Sequence, residues 1–237
     1  MKVITWNCNM AFRKKAHLLS KYQPDIVIIQ ECEHPDKLLH MEGEAIPNDM
    51  LWYGTNLNKG LGVFAYGDYQ LKLQHNHNPE IKTILPITVN GGAIDFTLYA
   101  IWASGSVVRE ERYIGQIWKA IRYYDHQISG EKVMLIGDFN SNSIWDKEHR
   151  FGSHSSLVDE FSRRNIFSVY HTYFEMEQGK EDHPTLYMYR HKNKPYHIDY
   201  CFASADLIAK VKHVEIGNYE DWCKFSDHKP LIIDFGL

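Results

Sequence analysis

Four consecutive apolar residues, Val133 to Ile136, run straight into Gly137-Asp138-Phe139-Asn140. A run this short and this apolar, closed by a glycine, reads as a strand buried on both faces. Such a strand needs a packed layer above it and another below. Gly137 lets the backbone turn or lets another group approach closely. In extended backbone, residues two apart share a face, so Asp138 and Asn140 emerge together while Phe139 turns back into the core. A carboxylate beside a fixed carboxamide at a strand's open end can position water against a phosphoester or bind a hard cation. The same residues also make an Asx-turn that merely ends a strand. The other strand ends decide between the two.

Strands are expected over Lys2 to Trp6, Ile26 to Ile29, Gly62 to Tyr66, Tyr69 to Leu73, Ile81 to Val89 and Ile94 to Trp102. Further strands are expected over Thr185 to Tyr189, Ile198 to Phe202, Val211 to Ile216 and Leu231 to Phe235. Pro86 marks its strand as an edge or a bulged one, and Asn90-Gly91-Gly92 reads as a hairpin turn. Helices are expected over Ala11 to Lys21, Val108 to His126 and Ser155 to Arg164, the second with Ile114, Ile117, Trp118 and Ile121 at helical spacing. Residues 34–60 read as irregular. Many strands, few helices and no repeat or linker favour one domain over 1–237, built of two sheets face to face with helices outside.

The four cysteines (Cys8, Cys32, Cys201, Cys223) lack paired spacing, which argues against structural zinc and against a disulfide framework and fits a reducing compartment. Cys8 and Cys32 are expected to point into the core. No stretch approaches the ~18 apolar residues of a membrane span, and no leader pattern opens the chain. The expectation is a cytoplasmic protein with no membrane span and no obligate protein partner. A formal net charge of -4 gives no chain-wide attraction to polyanions. Contact with one would rest on local cations: Arg13-Lys14-Lys15, Arg109, Arg112 and Arg190 to Lys194.

Polar residues recur at the expected strand ends: Asn7, Glu31, Asp138 with Asn140, Asp199, and Asp227-His228. Carboxylates gathered in one place repel and raise one another's pKa unless a cation lies between them. Hard oxygen donors without a cysteine pair suit Mg²⁺ or Mn²⁺, and His228 is the group whose charge changes near neutral pH.

Trp6-Asn7-Cys8-Asn9, Gln30-Glu31, Gly137-Asp138-Phe139-Asn140, Ile198-Asp199-Tyr200 and Ser226-Asp227-His228 follow one another from the first strand to the last. In these pieces and their order the chain resembles the endonuclease/exonuclease/phosphatase superfamily, which includes deoxyribonuclease I, exonuclease III-like repair nucleases, deadenylases, sphingomyelinases and inositol phosphatases. The resemblance implies a four-layered α/β sandwich of two mixed sheets and a Mg²⁺- or Mn²⁺-dependent phosphoesterase with no covalent intermediate. It implies Glu31 as principal metal ligand, Asn7 orienting it, and Asp227 in the metal site or beside it. Asp138 would orient or deprotonate the attacking water, and Asn140 would hold the phosphate or that water in line. Asp199 would pair with His228, fixing its tautomer and favouring an imidazolium facing the scissile phosphate.

Trp102 stands where relatives carry a His or Tyr that contacts the phosphate. Indole has one N–H donor and no acid-base function, so it could donate to the phosphate, stack on a base or pack in the core. Thr185, after His183-Pro184, falls where several relatives place a Ser or Thr near the phosphate, and Arg109 is the candidate cation at the mouth. The leading expectation is a nuclease acting on DNA or RNA, with Trp145 and Tyr196 available to stack bases. A phosphatase or phosphodiesterase for small or lipid phosphoesters competes with it because the chain is acidic overall. A binding module without turnover is supported by Trp102 alone.

Overall fold

The computed structural model describes residues 1–38, 47–81, 83–147 and 152–237, with the side chain of Arg109 also outside the described set. In chain order the strands are β1 (Lys2–Asn7), β2 (Ile26–Cys32), β3 (Asp49–Asn56), β4 (Lys59–Ala65), β5 (Gln70–Leu73), β6 (Ile84–Asn90) and β7 (Phe96–Trp102). They continue as β8 (Val133–Asp138), β9 (Ile166–Ser168), β10 (Leu186–Tyr187), β11 (Pro195–Tyr196), β12 (Asp199–Ser204), β13 (Val211–Ile216) and β14 (Leu231–Phe235). One six-stranded sheet has the order β13-β14-β1-β2-β4-β3, a second has β5-β6-β7-β8-β12-β9, and β10-β11 form a small separate ribbon. Both large sheets are mixed: β1–β2 and β7–β8 run parallel, and the remaining pairs antiparallel.

Alternation along each strand sorts the apolar side chains into three clusters, and these define four layers. Val3, Ile26, Ile28 and Val63 of the first sheet face Leu85, Ile87, Leu98, Met134 and Ile136 of the second. On the far side of the second sheet, Tyr99, Leu135 and Phe202 meet Ile117, Ile121, Leu157 and Phe161. Those last four come from the helices Ile114–Tyr123 and His154–Arg163. On the far side of the first sheet, Ile4, Trp6, Val27 and Ile29 meet Phe12, Leu19, Leu38 and Trp222. Consecutive apolar residues in β2 and β8 therefore fill two cores at once, each large side chain contributing about 1.5–3 kcal/mol by burial. Among the described residues no helix is long and apolar enough to cross a membrane.

Several local expectations are corrected. The helix expected over Ala11 to Lys21 is a 3-10 turn, Phe12–Lys14, and one α turn, His17–Ser20. Left-handed φ values of 52°, 61° and 50° at Asn9, Met10 and Ala11 curl the chain there and delay helical geometry. Residues 34–60 are not all irregular, since Pro35–Leu38 is helical and β3 forms the edge of the first sheet. Residues 39–46 of that stretch lie outside the described residues. Of Thr185 to Tyr189 only Leu186–Tyr187 is strand. Pro86 sits in an internal strand, between β5 and β7. Its carbonyl accepts from Gln74 N one residue past the end of β5, so its missing N–H falls where the ladder is already finishing.

This topology brings many strand ends to one rim. Asn7 pairs with Gln30 at the ends of β1 and β2, and Trp102 with Asp138 at the ends of β7 and β8. Asp199 opens β12 opposite Asp138. Gln30 ties the two sheets together there, donating to Thr5 Oγ1 (2.9 Å) and across to Ile101 O (3.1 Å). Gly137, at φ 146°, lets β7 approach: a Cβ in its place would lie 1.9 Å from Ile101 O.

Candidate active site

At the end of β8 the buried Asp138 carboxylate is clamped from two sides. Asn7 Nδ2 (3.1 Å) and Asn140 Nδ2 (3.0 Å) both donate to Oδ2, and Asn140 N donates to Oδ1 at 2.9 Å. Asn140 holds this position at φ 47°, a left-handed geometry that asparagine tolerates better than most residues, and its amide also donates to Ala103 O at 2.8 Å. Beside it, His228 Nδ1 bonds the buried carboxylate of Asp199 at 2.9 Å to Oδ2 and 3.2 Å to Oδ1. Asp138, Asp199 and His228 offer ligand atoms within 4.8 Å of one another, a group able to hold a metal ion.

The backbone of His228 is fixed from β1. Trp6 Nε1 donates to His228 O (3.0 Å), while Ser226 Oγ accepts from His228 N (3.1 Å) and donates to Asn7 O (2.7 Å). Burial holds Asp138 above the usual carboxylate range, and the neighbouring charge of Asp199 adds to this. For His228 burial works against the charged ring, but the carboxylates of Asp199 and Asp138 outweigh it and raise the imidazole well above its ordinary value. The cluster therefore pairs an imidazolium with Asp199 beside a carboxylate of heightened basicity.

Glu31 stands outside that cluster. It occupies a bulge in β2, at φ 57°, where pairing with β4 slips between Gln30 and Cys32. Its Oε1 meets Lys59 Nζ at 3.0 Å. Asp227 is half-buried; its Oδ1 accepts from Asn9 Nδ2 at 3.5 Å, and its charge adds to the field on His228. Trp102 is half-buried: it packs on the core between the sheets, and Lys59 Nζ lies 5.3 Å from its ring centre. Thr185 is fully buried, its hydroxyl accepting from Ile198 N and Asp199 N at 3.0 Å each, so it supports Asp199 and presents no open face to a substrate. Arg109 begins a 3-10 turn, Arg109–Glu111, and its side chain lies outside the described residues.

Other cations serve the fold. Arg13 pairs with the buried Glu33, and Lys15 donates to the carbonyls of Cys8 (2.6 Å), Asn9 (3.2 Å) and Phe225 (2.8 Å). Trp145 and Tyr196 lie 5.2 Å apart between ring centres. Residues that sequence reasoning passed over as working parts are Lys59, Ser226, Gln30 and Asn142. Asn142 ties the loop after β8 to His197 O and Tyr200 OH at 2.9 and 3.0 Å. Ser226 and Gln30 lie inside the motifs and carried that much signal; Lys59 carried none, since a lysine at a hairpin is ordinarily solvated.

The donor chemistry here fits a hard divalent cation. Asp138, Asp199 and His228 form a group that could hold such an ion, and Glu31, which follows the Gln30 registered with Asn7, draws the ammonium of Lys59. Burial pushes the Cys8 thiol up to about 12 and the fully buried Cys32 thiol well above its usual value, so neither offers a soft thiolate.

The chain superposes on solved structures over nearly its whole length. The 3'-5' exonuclease NExo of Neisseria meningitidis matches with a TM-score of 0.70 at 19% identity, covering 100% of both chains. An AP endonuclease from Archaeoglobus fulgidus matches at 0.69 and 16% identity, again over 100% of both. The endonuclease domain of TRAS1, a telomere-specific non-LTR retrotransposon, matches at 0.66 and 16% identity, over 99% of this chain and 97% of that one. No curated protein sequence matches. At these identities the likeness establishes the α/β sandwich. Residues 4–228 match the sequence profile of the Endonuclease/Exonuclease/phosphatase family, and the chain belongs to that family, whose members hydrolyse phosphoester bonds.

Proposed function

We propose that this protein is a Mg²⁺- or Mn²⁺-dependent phosphodiesterase that cleaves nucleic acid by direct attack of water. The observation that carries this reading is the buried Asp199–His228 pair set beside Asp138, which Asn7 and Asn140 clamp. Nucleic acid is favoured over other phosphoesters because the superposed structures are named as an exonuclease and endonucleases.

Asp138 is the base. Its carboxylate is oriented by two carboxamides and one amide, and its raised proton affinity suits it to take a proton from water near neutral pH. His228 is the electrophile: with Nδ1 committed to Asp199, the proton at Nε2 is the one it has left to offer a phosphate oxygen. Asn140 stands beside the base, where its carboxamide keeps water and phosphate in line. Glu31 with Asn7 would hold the divalent cation, which supplies charge neutralisation at the phosphate. Every group acts by position and charge, and no nucleophilic side chain is needed.

The test is hydrolysis of single-stranded DNA, duplex DNA, RNA and small phosphodiesters, with Mg²⁺ and with EDTA, by the wild type and Glu31→Gln. Cleavage of nucleic acid is expected in Mg²⁺ alone, and loss of it in Glu31→Gln at an unchanged melting temperature. Full activity in EDTA would overturn the metal assignment. Turnover confined to small phosphodiesters would overturn the nucleic-acid reading.

A further inference from the structure

Lys59 sits where three features meet that the catalytic cluster leaves unexplained. It opens β4 at the tight β3–β4 hairpin, where Asn56 pairs with Lys59, and Gly60 beside it pairs with Cys32 across the β2 bulge. Its ammonium lies 3.0 Å from Glu31 Oε1. The same Nζ is 5.3 Å from the centre of the Trp102 ring, within the ~6 Å reach of a cation–π contact. Around both runs a cavity of about 440 Å³, lined among others by Tyr53, Thr83, Ser104 and Gln116. Trp102, which lines this cavity, is also the residue registered with Asp138 at the end of the β7–β8 ladder.

We propose that Lys59 is the exchangeable cation of this site: it neutralises Glu31 until a divalent ion takes that carboxylate, and is then released across Trp102 toward the substrate's phosphate backbone. The inference rests on the reading of Glu31 as a cation ligand. A magnesium-like ion needs its ligand oxygen at ~2.0–2.1 Å, and an ammonium on the same oxygen would face it at a few ångströms, where like charges repel strongly. The two cations exclude one another. Lysine is suited to the exchange because its compact charge rides a flexible four-carbon stem. The indole face gives the displaced ammonium a favourable resting place, which a hydroxyl or imidazole at position 102 would supply less well. Metal entry and phosphate binding are thereby coupled: the ion that fills Glu31 frees a positive charge for the substrate.

Calorimetric titration of Mn²⁺ alone into the full chain tests the first half without any turnover, using the wild type, Lys59→Met, Lys59→Arg and Glu31→Gln. Lys59→Met should bind Mn²⁺ about tenfold tighter, because a unit charge a few ångströms away has gone. Lys59→Arg should stay near wild type, and Glu31→Gln should lose most Mn²⁺ binding. Unchanged or weaker Mn²⁺ affinity in Lys59→Met, with binding lost in Glu31→Gln, refutes the exchange and leaves the metal reading standing. Unchanged Mn²⁺ affinity in Glu31→Gln instead removes the reading of Glu31 on which the exchange depends. The second half is read by anisotropy with a ten-nucleotide oligodeoxythymidylate and Mn²⁺, in a His228→Asn background that blocks cleavage. There Lys59→Met should raise Kd roughly fivefold and reduce the salt dependence by about one counterion. An unchanged Kd and salt slope would refute release toward the phosphate.

Discussion

Replacing Thr185 by valine preserves the side chain's shape and removes one acceptor atom. In the native structure that atom receives two buried amides, Ile198 N and Asp199 N, each at 3.0 Å. Nothing else about the residue need change: its own N–H donates to Tyr196 O at 2.9 Å, and its carbonyl accepts from Lys229 N at 2.7 Å. Stranding one buried donor costs about 1–3 kcal/mol, and the added methyl returns about 0.8 kcal/mol by burial. With two donors stranded, the expected loss is about 1–5 kcal/mol, which for a chain of this size lowers Tm by roughly 2–20 °C. Because one of the two amides belongs to Asp199, the damage should reach catalysis, with a lower kcat and little change in KM. Urea unfolding and steady-state kinetics on Thr185→Val, with Thr185→Ser retaining the acceptor as a control, measure both effects. A valine variant within ~0.5 kcal/mol of wild type, with a raised KM, would refute the reasoning and return Thr185 to the substrate.

The Asp199–His228 pair predicts a movable pH limb. Since Asp199 raises the His228 pKa, Asp199→Asn should shift the alkaline fall in rate to lower pH, and an unmoved limb would contradict the pairing. The pair also contributes stability that is present below the unfolded histidine value near ~6.5 and lost as pH rises through the elevated folded value. The opposite sign applies to His154 and His197, both buried and both lowered to about 4, chiefly by desolvation. The unfolded chain takes up their protons first, so stability held above ~6.5 should be lost as pH falls toward 4, by roughly 3 kcal/mol per ring over that window. Urea titrations between pH 7 and 4 measure it, and a flat profile would show that these rings do not stay neutral in the fold.

What the sequence revealed, and what it concealed, divides along one physical line. Apolar runs report burial on both faces, so β1, β2, β8, β12 and β14, and with them the two-sheet stack, were legible from residues such as Ile26 to Ile29. A motif residue at the end of such a run inherits its place from the strand, which is why Asp138, Asn140 and Asp199 converge with His228 in the fold. The β3 edge was missed because one side of an edge strand is unpaired and its burial is partial, leaving Trp52 and Tyr53 without clean alternation. Pro86 misled because a missing donor disqualifies an internal strand only where a neighbour still needs it, and β5 has already ended there. Pairings between distant charges leave no periodic trace at all. Nothing in the sequence near Lys59 indicates Glu31, since a bulge and a hairpin bring them together across β2 and β4. The same holds for Trp102, where the sequence left open a choice between packing and facing the site. The structure packs it on the core between the sheets and leaves its ring 5.3 Å from Lys59 Nζ. The indole that ends β7 is, in three dimensions, an aromatic face placed beside a charge.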